Sequence, residues 1–378
     1  MGAELTEEQE AFRKVVRDFA DREVAPHAEA WDRDHTFPLE LVGAMGELGL
    51  FGLTAPEELG GAGADLTTLC VAIEELARAD SSVAITLSAG VGLGINPILT
   101  FGDDDQKARW LPDLVAGRAL GAFGLTEPDA GSDAGATRTR ARREGDEWVL
   151  DGAKAFITNS GTPITSVITV TARSEEGISA FLVPAGTPGL VVEPPYRKVG
   201  WHASDTHGLA LDGCRIPSTN LLGREGAGLQ QLLTVLDDGR VALAALACGL
   251  IKGCLEESVR HANERQAFGG PIGRNQGIAF KCADLAVLYE SSAALAYRAA
   301  WLKDHGRPFR QAAAIAKLHA TTSAVTAARE ATQVFGGSGF LDETPVARHW
   351  RDSKILEIGE GTSEVQRIVI SRGLGLPT

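Results

Sequence analysis

Apolar residues recur at three- and four-residue spacing through the first third of the chain, gather into short β-branched runs in the middle, and return to helical spacing to the end. Near the start, Phe12, Val15, Val16 and Phe19 form one helical face, and Thr6 with Gln9 matches the S/T-x-x-E/Q box that caps a helix. That helix is expected to stop before Pro26, and a second is predicted from Pro38, burying Leu41, Val42, Met45 and Leu48. A glycine-rich loop, Gly60 to Gly63, precedes a third helix with Leu69, Ile73 and Leu76 on one face. Another apolar helix and a short one at Trp110 to Val115 complete this part.

From Gly121 to about Pro217 the pattern changes to strands: Glu147 to Leu150, Ala155 to Thr158, Val167 to Thr171, Ile178 to Val183 and Leu190 to Glu193. Asp151-Gly152 and Asp212-Gly213 read as turns between strands. Beyond Gly228, long helices are predicted over Leu229–Asn263, Gln276–Lys303 and Phe309–Val334, with shorter ones at Val346–Ile358 and Ser363–Arg372. Long helices joined by short loops imply an antiparallel bundle. The chain therefore reads as an α+β multidomain protein: an N-terminal all-α domain (1–120), a middle β-barrel or sandwich domain (121–227) and a C-terminal antiparallel four-helix bundle (228–378).

Composition narrows the function classes. With 44% hydrophobic and 23% charged residues the chain is globular rather than disordered, and its 44 glycines follow no collagen period. A formal net charge of −14 disfavours a nucleic-acid partner. Five scattered cysteines, Cys70, Cys214, Cys248, Cys254 and Cys282, without a C-x-x-C pair, fit buried thiols in a reducing compartment. The acidic start, Met1 to Glu10, is not a secretory signal, and the uncharged stretch Ser81 to Gly102 contains Asn96 and Pro97, so it is expected to pack inside the protein rather than span a membrane. A cytoplasmic location is the expectation. No complete G-x-G-x-x-G, P-loop, H-E-x-x-H or G-x-S-x-G motif occurs, and His202 and His207 do not make a metal set, so no metal is expected.

Three segments carry unusual local chemistry. Leu125-Thr126-Glu127-Pro128-Asp129-Ala130-Gly131-Ser132-Asp133 leaves a strand, turns, and presents two hydroxyls; taken singly it could be an ordinary surface turn. Lys154 to Gly161 places Phe156 and Thr158 on one strand face, suited to a flat ligand or to half-burial alone. Glu357 to Arg367 sets Glu360 between Gly359 and Gly361, interrupting two helices, with Ser363 and Gln366 available as a capping box. A carboxylate on such a joint, beside helix N–H groups, can act as a base next to a polarised carbonyl, or it can be a solvated loop glutamate.

Together with Glu264-Arg265-Gln266-Ala267-Phe268-Gly269, Gln333-Val334-Phe335-Gly336-Gly337-Ser338-Gly339 and Arg351-Asp352, in this order and on this layout, the chain from about Leu5 to Leu374 resembles the acyl-CoA dehydrogenase family of flavoproteins. The resemblance implies FAD bound between the β-domain and the bundle. Phe123, Leu125, Thr126 and Ser132 would line it, with Thr126 near the ring and Ser132 near substrate or pyrophosphate. Phe156 and Ile157 would cover the other side, and Thr158 would reach the N5 edge. Arg265 would pair with the pyrophosphate of a neighbouring subunit's FAD, while Phe268, Gln276, Gln333, Gly336 and Gly337 would hold the rest of the dinucleotide. Thr362 and Glu364 would complete the cofactor site. Such sharing implies a homo-oligomer, in the family usually a tetramer built as a dimer of dimers.

By the same resemblance, Glu360 matches the catalytic base. It would take the α-proton of an acyl-CoA thioester while the β-hydrogen leaves as hydride to the flavin, giving the trans-2-enoyl-CoA. Asp237, Asp238, Arg240 and Gly361 would contact substrate. Some family members carry the base on the first bundle helix before an arginine; here that position is Gly239, so Glu360 is favoured. Gly359 stands where tyrosine is common, Phe156 where tryptophan is frequent and Asp129 where glycine is common; a straight short- or medium-chain substrate is expected. Electrons would pass to an electron-transfer flavoprotein. Rival readings are an acyl-CoA oxidase, disfavoured by the chain's end at Thr378, a carrier-protein-thioester dehydrogenase, a flavin monooxygenase relative, and a non-catalytic nucleic-acid-binding flavoprotein, disfavoured by the acidic charge.

Overall fold

The computed structural model describes residues 4–377; Met1 to Ala3, which open the acidic stretch, and Thr378 lie outside the described residues. The N-terminal helices are α1 (Glu7–Phe19), α2 (Ala28–Asp34), α3 (Leu39–Glu47), α4 (Leu66–Ala79), α5 (Ser81–Ala89), α6 (Asn96–Phe101) and α7 (Asp104–Val115). Thr6 and Gln9 form the expected reciprocal cap on α1. The chain then continues through a π-turn, Ala20–Val24, up to Pro26. Helix α2 has no counterpart in the apolar pattern, because two turns bury little more than Ala28 and Asp32. The helical run Ser81–Phe101 has the length and hydropathy to cross a membrane, but 78% of its apolar window is buried inside the protein.

The middle of the chain forms β1 (Leu120–Gly124), β2 (Arg140–Glu144), β3 (Glu147–Thr158), β4 (Thr165–Ser174), β5 (Gly177–Pro184), β6 (Leu190–Pro195), β7 (Thr206–Pro217) and β8 (Leu221–Leu222). They join in one sheet of order β6-β7-β3-β2-β4-β5-β8, with β1 parallel to β4. The sheet curls on itself: Trp148 of β3 and Phe181 of β5, which are not neighbours in that order, meet edge to face at 5.1 Å. The two Asp-Gly pairs are not turns. Both lie inside long strands that pair with each other, and the register slips between Leu150 and Gly152. Gly213 N–H donates to Asp151 Oδ1 at 2.8 Å, so tertiary pairing turns two local turn signals into a bulge.

The C-terminal part consists of α8 (Gly228–Glu264), a small ribbon of β9 (Gln266–Ala267) and β10 (Gly270–Pro271), α9 (Gln276–Asp304), α10 (Arg310–Phe335), α11 (Pro345–Leu356) and α12 (Ser363–Gly373). Helices α8 and α10 pack against each other, and both bury many alanines, among them Ala242, Ala245, Ala320, Ala324 and Ala327. Small side chains let the two helices approach closely. One apolar core runs through the N-terminal helices and the bundle, and a second fills the curled sheet.

A buried polar knot ties the three parts together. Asp352 of α11 accepts from Trp201 N at 2.6 Å and from Ser81 Oγ at 2.7 Å. Arg348 reaches Asp80 Oδ2 at 3.1 Å, and Arg351 pairs with Asp32 through both terminal guanidinium nitrogens, Nη1 at 3.0 Å. Burial and the nearby Asp80 carboxylate push Asp352 up to about 6. The Arg351-Asp352 pair thus fixes α11, and with it the segment that follows.

Candidate active site

That segment is the joint between α11 and α12. Helix α11 ends at Leu356, and Glu360 adopts φ +52 with Gly361 at φ +94. A non-glycine residue in the left-handed region costs on the order of 1 kcal/mol and persists only where its surroundings enforce it. Here three contacts do so: Ser363 N–H donates to Glu357 O at 2.9 Å, Gln366 Nε2 to Gly361 O at 2.9 Å, and Lys317 Nζ of α10 to the same carbonyl at 2.8 Å. The cap of α12 is Thr362, whose Oγ1 accepts from Val365 N, not Ser363 as the S-x-x-Q spacing predicts. The left-handed turn places the extended, cap-forming backbone one residue earlier, and Ser363 is buried within the first helical turn.

The strained turn drives the Glu360 side chain inward. Although the residue keeps some exposed surface, its Oε2 is buried and meets no hydrogen-bond partner among the described residues. The carboxylate packs against Gly239 of α8 so closely that a Cβ there would overlap Oε2. The two positions at which the family resemblance places a base therefore share one volume, and glycine at 239 is what admits Glu360. Burial pushes Glu360 up to about 7, with the positive charges of Lys317 and Arg240 opposing the rise. Arg240 is itself buried, pairs with Asp237, and has an unpartnered Nε. Asp238, about 100° further round the helix, turns away to Lys303 at 3.2 Å. It lines a separate pocket of about 330 Å³ with Thr54 and Asn96. The structure thus brings Glu360, Gly361, Asp237, Gly239 and Arg240 together and leaves Asp238 outside.

The second segment leaves the buried strand β1, where Phe123 is nearly covered, and emerges with Leu125 and Thr126 half-buried. It is held from below: Lys154 Nζ, fully buried, donates to Glu127 Oε1 at 2.7 Å and to Thr171 Oγ1 at 3.1 Å. Glu127 also accepts from Arg138 N at 2.7 Å and Thr139 N at 3.1 Å. Burial works to raise the Glu127 carboxyl, but Lys154 and these donors hold it below the usual range. Ser132 lies exposed beyond the turn, and Asp129 pairs with Arg138 at 2.8 Å.

The third segment bulges where β3 slips against β7, and Phe156 takes φ +62 with 67% of its surface exposed. Its ring lies 5.2 Å from that of Tyr196, an aromatic neighbour the sequence did not single out. Thr158 is half-buried. Ile157, between them, points into the core of the sheet, so only its main chain is free to meet a ligand there. Arg265 is exposed at the far end of α8, 26 residues from Gly239 and hence roughly 40 Å from Glu360 along the helix. Phe268 is 99% exposed with φ +52, and Gln276, Gln333, Gly336, Gly337 and Glu364 are exposed too. A Cβ at Gly336 or Gly337 would meet nothing within 4 Å.

Lys317 and Lys154 are buried charged neighbours of these segments to which the sequence reading gave no role. Lys317 sits among Ala313, Ala314, Ala316 and Ala320 on the buried side of α10, and a lone charge inside an alanine run is the signal that would have found it. His202 and His207 are absorbed structurally, with His202 at 3.0 Å from Asp32 and His207 at 2.7 Å from Asp205.

Comparison with known proteins covers nearly the whole chain. Family models described as the N-terminal, middle and C-terminal domains of acyl-CoA dehydrogenase match residues 6–118, 122–214 and 226–375. A probable acyl-CoA dehydrogenase of Bacillus subtilis is 47% identical, covering 99% of this chain and 100% of its own length. The mouse mitochondrial short-chain specific acyl-CoA dehydrogenase is 45% identical over 97% of this chain and 90% of its own. Among solved structures, butyryl-CoA dehydrogenase from Megasphaera elsdenii superposes with a TM-score of 0.95 at 41% identity, covering 98% of this chain and 99% of the other. A glutaryl-CoA dehydrogenase from Mycobacterium smegmatis in complex with FADH2 gives 0.94 at 34% identity, over 98% and 95%.

Proposed function

The chain belongs to the acyl-CoA dehydrogenase family, and on that premise we propose that it oxidises a straight short- or medium-chain acyl-CoA to the trans-2-enoyl-CoA with Glu360 as the base. The observation that carries this reading is the buried, unpartnered Glu360 carboxylate, aimed by a left-handed turn against Gly239.

The family uses FAD, and the residues present suit it. Thr126 and Thr158 offer hydroxyls from two adjacent strand ends, and Phe156 presents an aromatic face. Among the described residues nothing packs within 4 Å of a Cβ built at Gly337, which suits backbone approach to a ligand. When bound, the flavin supplies the two-electron acceptor for the β-hydride. Everything else is asked of the protein. Glu360 removes the α-proton. Burial makes its carboxylate a stronger base than one in water, while Lys317 and Arg240 keep it ionisable near neutrality. The Glu360 N–H, in the joint that precedes the Thr362 cap of α12, is the protein donor for the thioester oxygen, where it stabilises developing enolate charge. Arg240 and Asp237 form the adjoining wall of the substrate site.

Arg265 and Phe268 serve FAD in a neighbouring subunit. The span of α8 keeps Arg265 from the site of its own chain, and the exposure of Phe268 suits a partner contact, so a homo-oligomer, a tetramer by family resemblance, is the working form. Short-chain specific relatives support a short straight substrate, and Gly239 leaves the base room to sit deep. The acceptor is an electron-transfer flavoprotein. An anaerobic titration of the yellow protein with straight and branched acyl-CoAs tests the reading: short straight chains should bleach the flavin, and bleaching by none would overturn it.

A further inference from the structure

The Glu360 joint is held from an element that shares no sequence with it. Lys317 lies in the middle of α10, on the face that packs toward α8 and α11, and its side chain is fully buried. A lysine in such a place is unfavourable unless its ammonium has a task. Its hydrogen-bond partner is the carbonyl of Gly361, at 2.8 Å, the residue that follows the left-handed Glu360. Among the described residues only Gln366 shares that carbonyl, from within α12 itself.

We propose that Lys317 is the positioning residue of the catalytic joint: by anchoring Gly361 O it holds Glu360 in its left-handed turn and sets a positive charge beside the carboxylate. The inference rests on the reading of Glu360 as the base. Without the anchor, Glu360 and Gly361 could relax toward ordinary backbone angles, and the carboxylate would swing from its place against Gly239. The charges facing this pair come from three elements. Arg240 approaches from α8, Lys317 from α10, and Glu357 and Glu364 flank the joint on either side. Burial brings the ammonium down to about 8, against the pull of Glu360, so at neutral pH it is still charged and favours ionised Glu360.

Two variants separate anchor from charge. Lys317→Met removes both, whereas Lys317→Gln removes the charge and keeps an N–H donor on a side chain one bond shorter. Both are prepared as FAD-loaded oligomers and checked by melting and flavin content. Flavin reduction by a short acyl-CoA is followed anaerobically from pH 6 to 9, and the Glu360 carboxyl is titrated in parallel by infrared difference spectroscopy against Glu360→Gln. The expected result is a midpoint raised by about one pH unit in both variants. Above that midpoint Lys317→Met should fall roughly 10²-fold while Lys317→Gln keeps most of the rate. An unmoved midpoint, or equal losses in both variants that track melting temperature, would overturn the proposal. The infrared titration keeps the two readings apart: if no acyl-CoA bleaches even the unaltered protein, the function fails, yet the Glu360 carboxyl must still titrate higher in Lys317→Met.

Discussion

Replacing Gly239 by alanine adds one methyl group and tests the shared volume directly. A Cβ at this position overlaps Glu360 Oε2, so the carboxylate must retreat by about 1 Å, a displacement worth roughly 10²-fold in rate for a group that must meet a C–H bond in line. Global stability should not report that loss. Alanine is favoured over glycine by up to about 1 kcal/mol inside a helix, and Gly239 lies within the 37 residues of α8. Gly43→Ala is the matched control: it is exposed in α3 with nothing within 4 Å of the added atom, so it should gain the same increment with no change in rate. The assay is stopped-flow flavin reduction under nitrogen at saturating acyl-CoA, with melting curves for both variants. A Gly239→Ala enzyme that reduces its flavin at the unaltered rate would refute the placement of the base against α8.

Further expectations follow from the same geometry. The Glu360 carboxyl is raised from its ordinary 4.5 to about 7, so the folded protein holds this proton longer than the unfolded chain and loses stability as pH rises through that window, by up to about 3 kcal/mol. Glu360→Gln should therefore melt near the unaltered protein at pH 5 and above it at pH 8; the opposite order would contradict the buried charge. Thr362→Ala should cost about 1 kcal/mol by removing the cap of α12, and Ser363→Ala should cost less, as read by denaturant melts; equal losses would return the cap to Ser363. Lys154→Met strands the Glu127 carboxylate in the sheet and should cost roughly 3–5 kcal/mol, with early release of flavin on heating. Unchanged melting would mean that the segment from Leu125 to Thr139 does not depend on this pair.

Long, strongly periodic elements were legible in the sequence. The predicted Leu229–Asn263 helix is observed as Gly228–Glu264, and Gln276–Lys303 as Gln276–Asp304, because alanine-rich helices with continuous apolar faces leave few alternatives. Elements decided by tertiary contact were not. Helix α2 carries too few apolar residues to announce itself, and Asp151-Gly152 and Asp212-Gly213 look like turns until β3 and β7 pair across them. The capping box was displaced by one residue because spacing alone does not reveal that Glu360 enters the left-handed region.

The site divides along the same line. Glu360 and the absence of a competing side chain at 239 could be read from motif and position. The partners that control them, Lys317 from α10 and Arg240 from α8, are brought in by helix packing, and no local spacing connects residues so far apart. Asp238, which the resemblance groups with Asp237 and Arg240, pairs instead with Lys303, because one step along a helix turns a side chain to a different wall.

The central claim is that Glu360 removes the α-proton, and the most direct measurement compares flavin reduction by a short-chain acyl-CoA in the unaltered protein and in Glu360→Gln, both fully loaded with FAD and free of oxygen. The account predicts rapid bleaching in the first. In the second, acyl-CoA should still perturb the flavin spectrum on binding, while reduction slows by roughly 10⁴-fold or more, the upper end of what a positioned base contributes. Bleaching of Glu360→Gln at the unaltered rate would contradict it and assign the proton to another group.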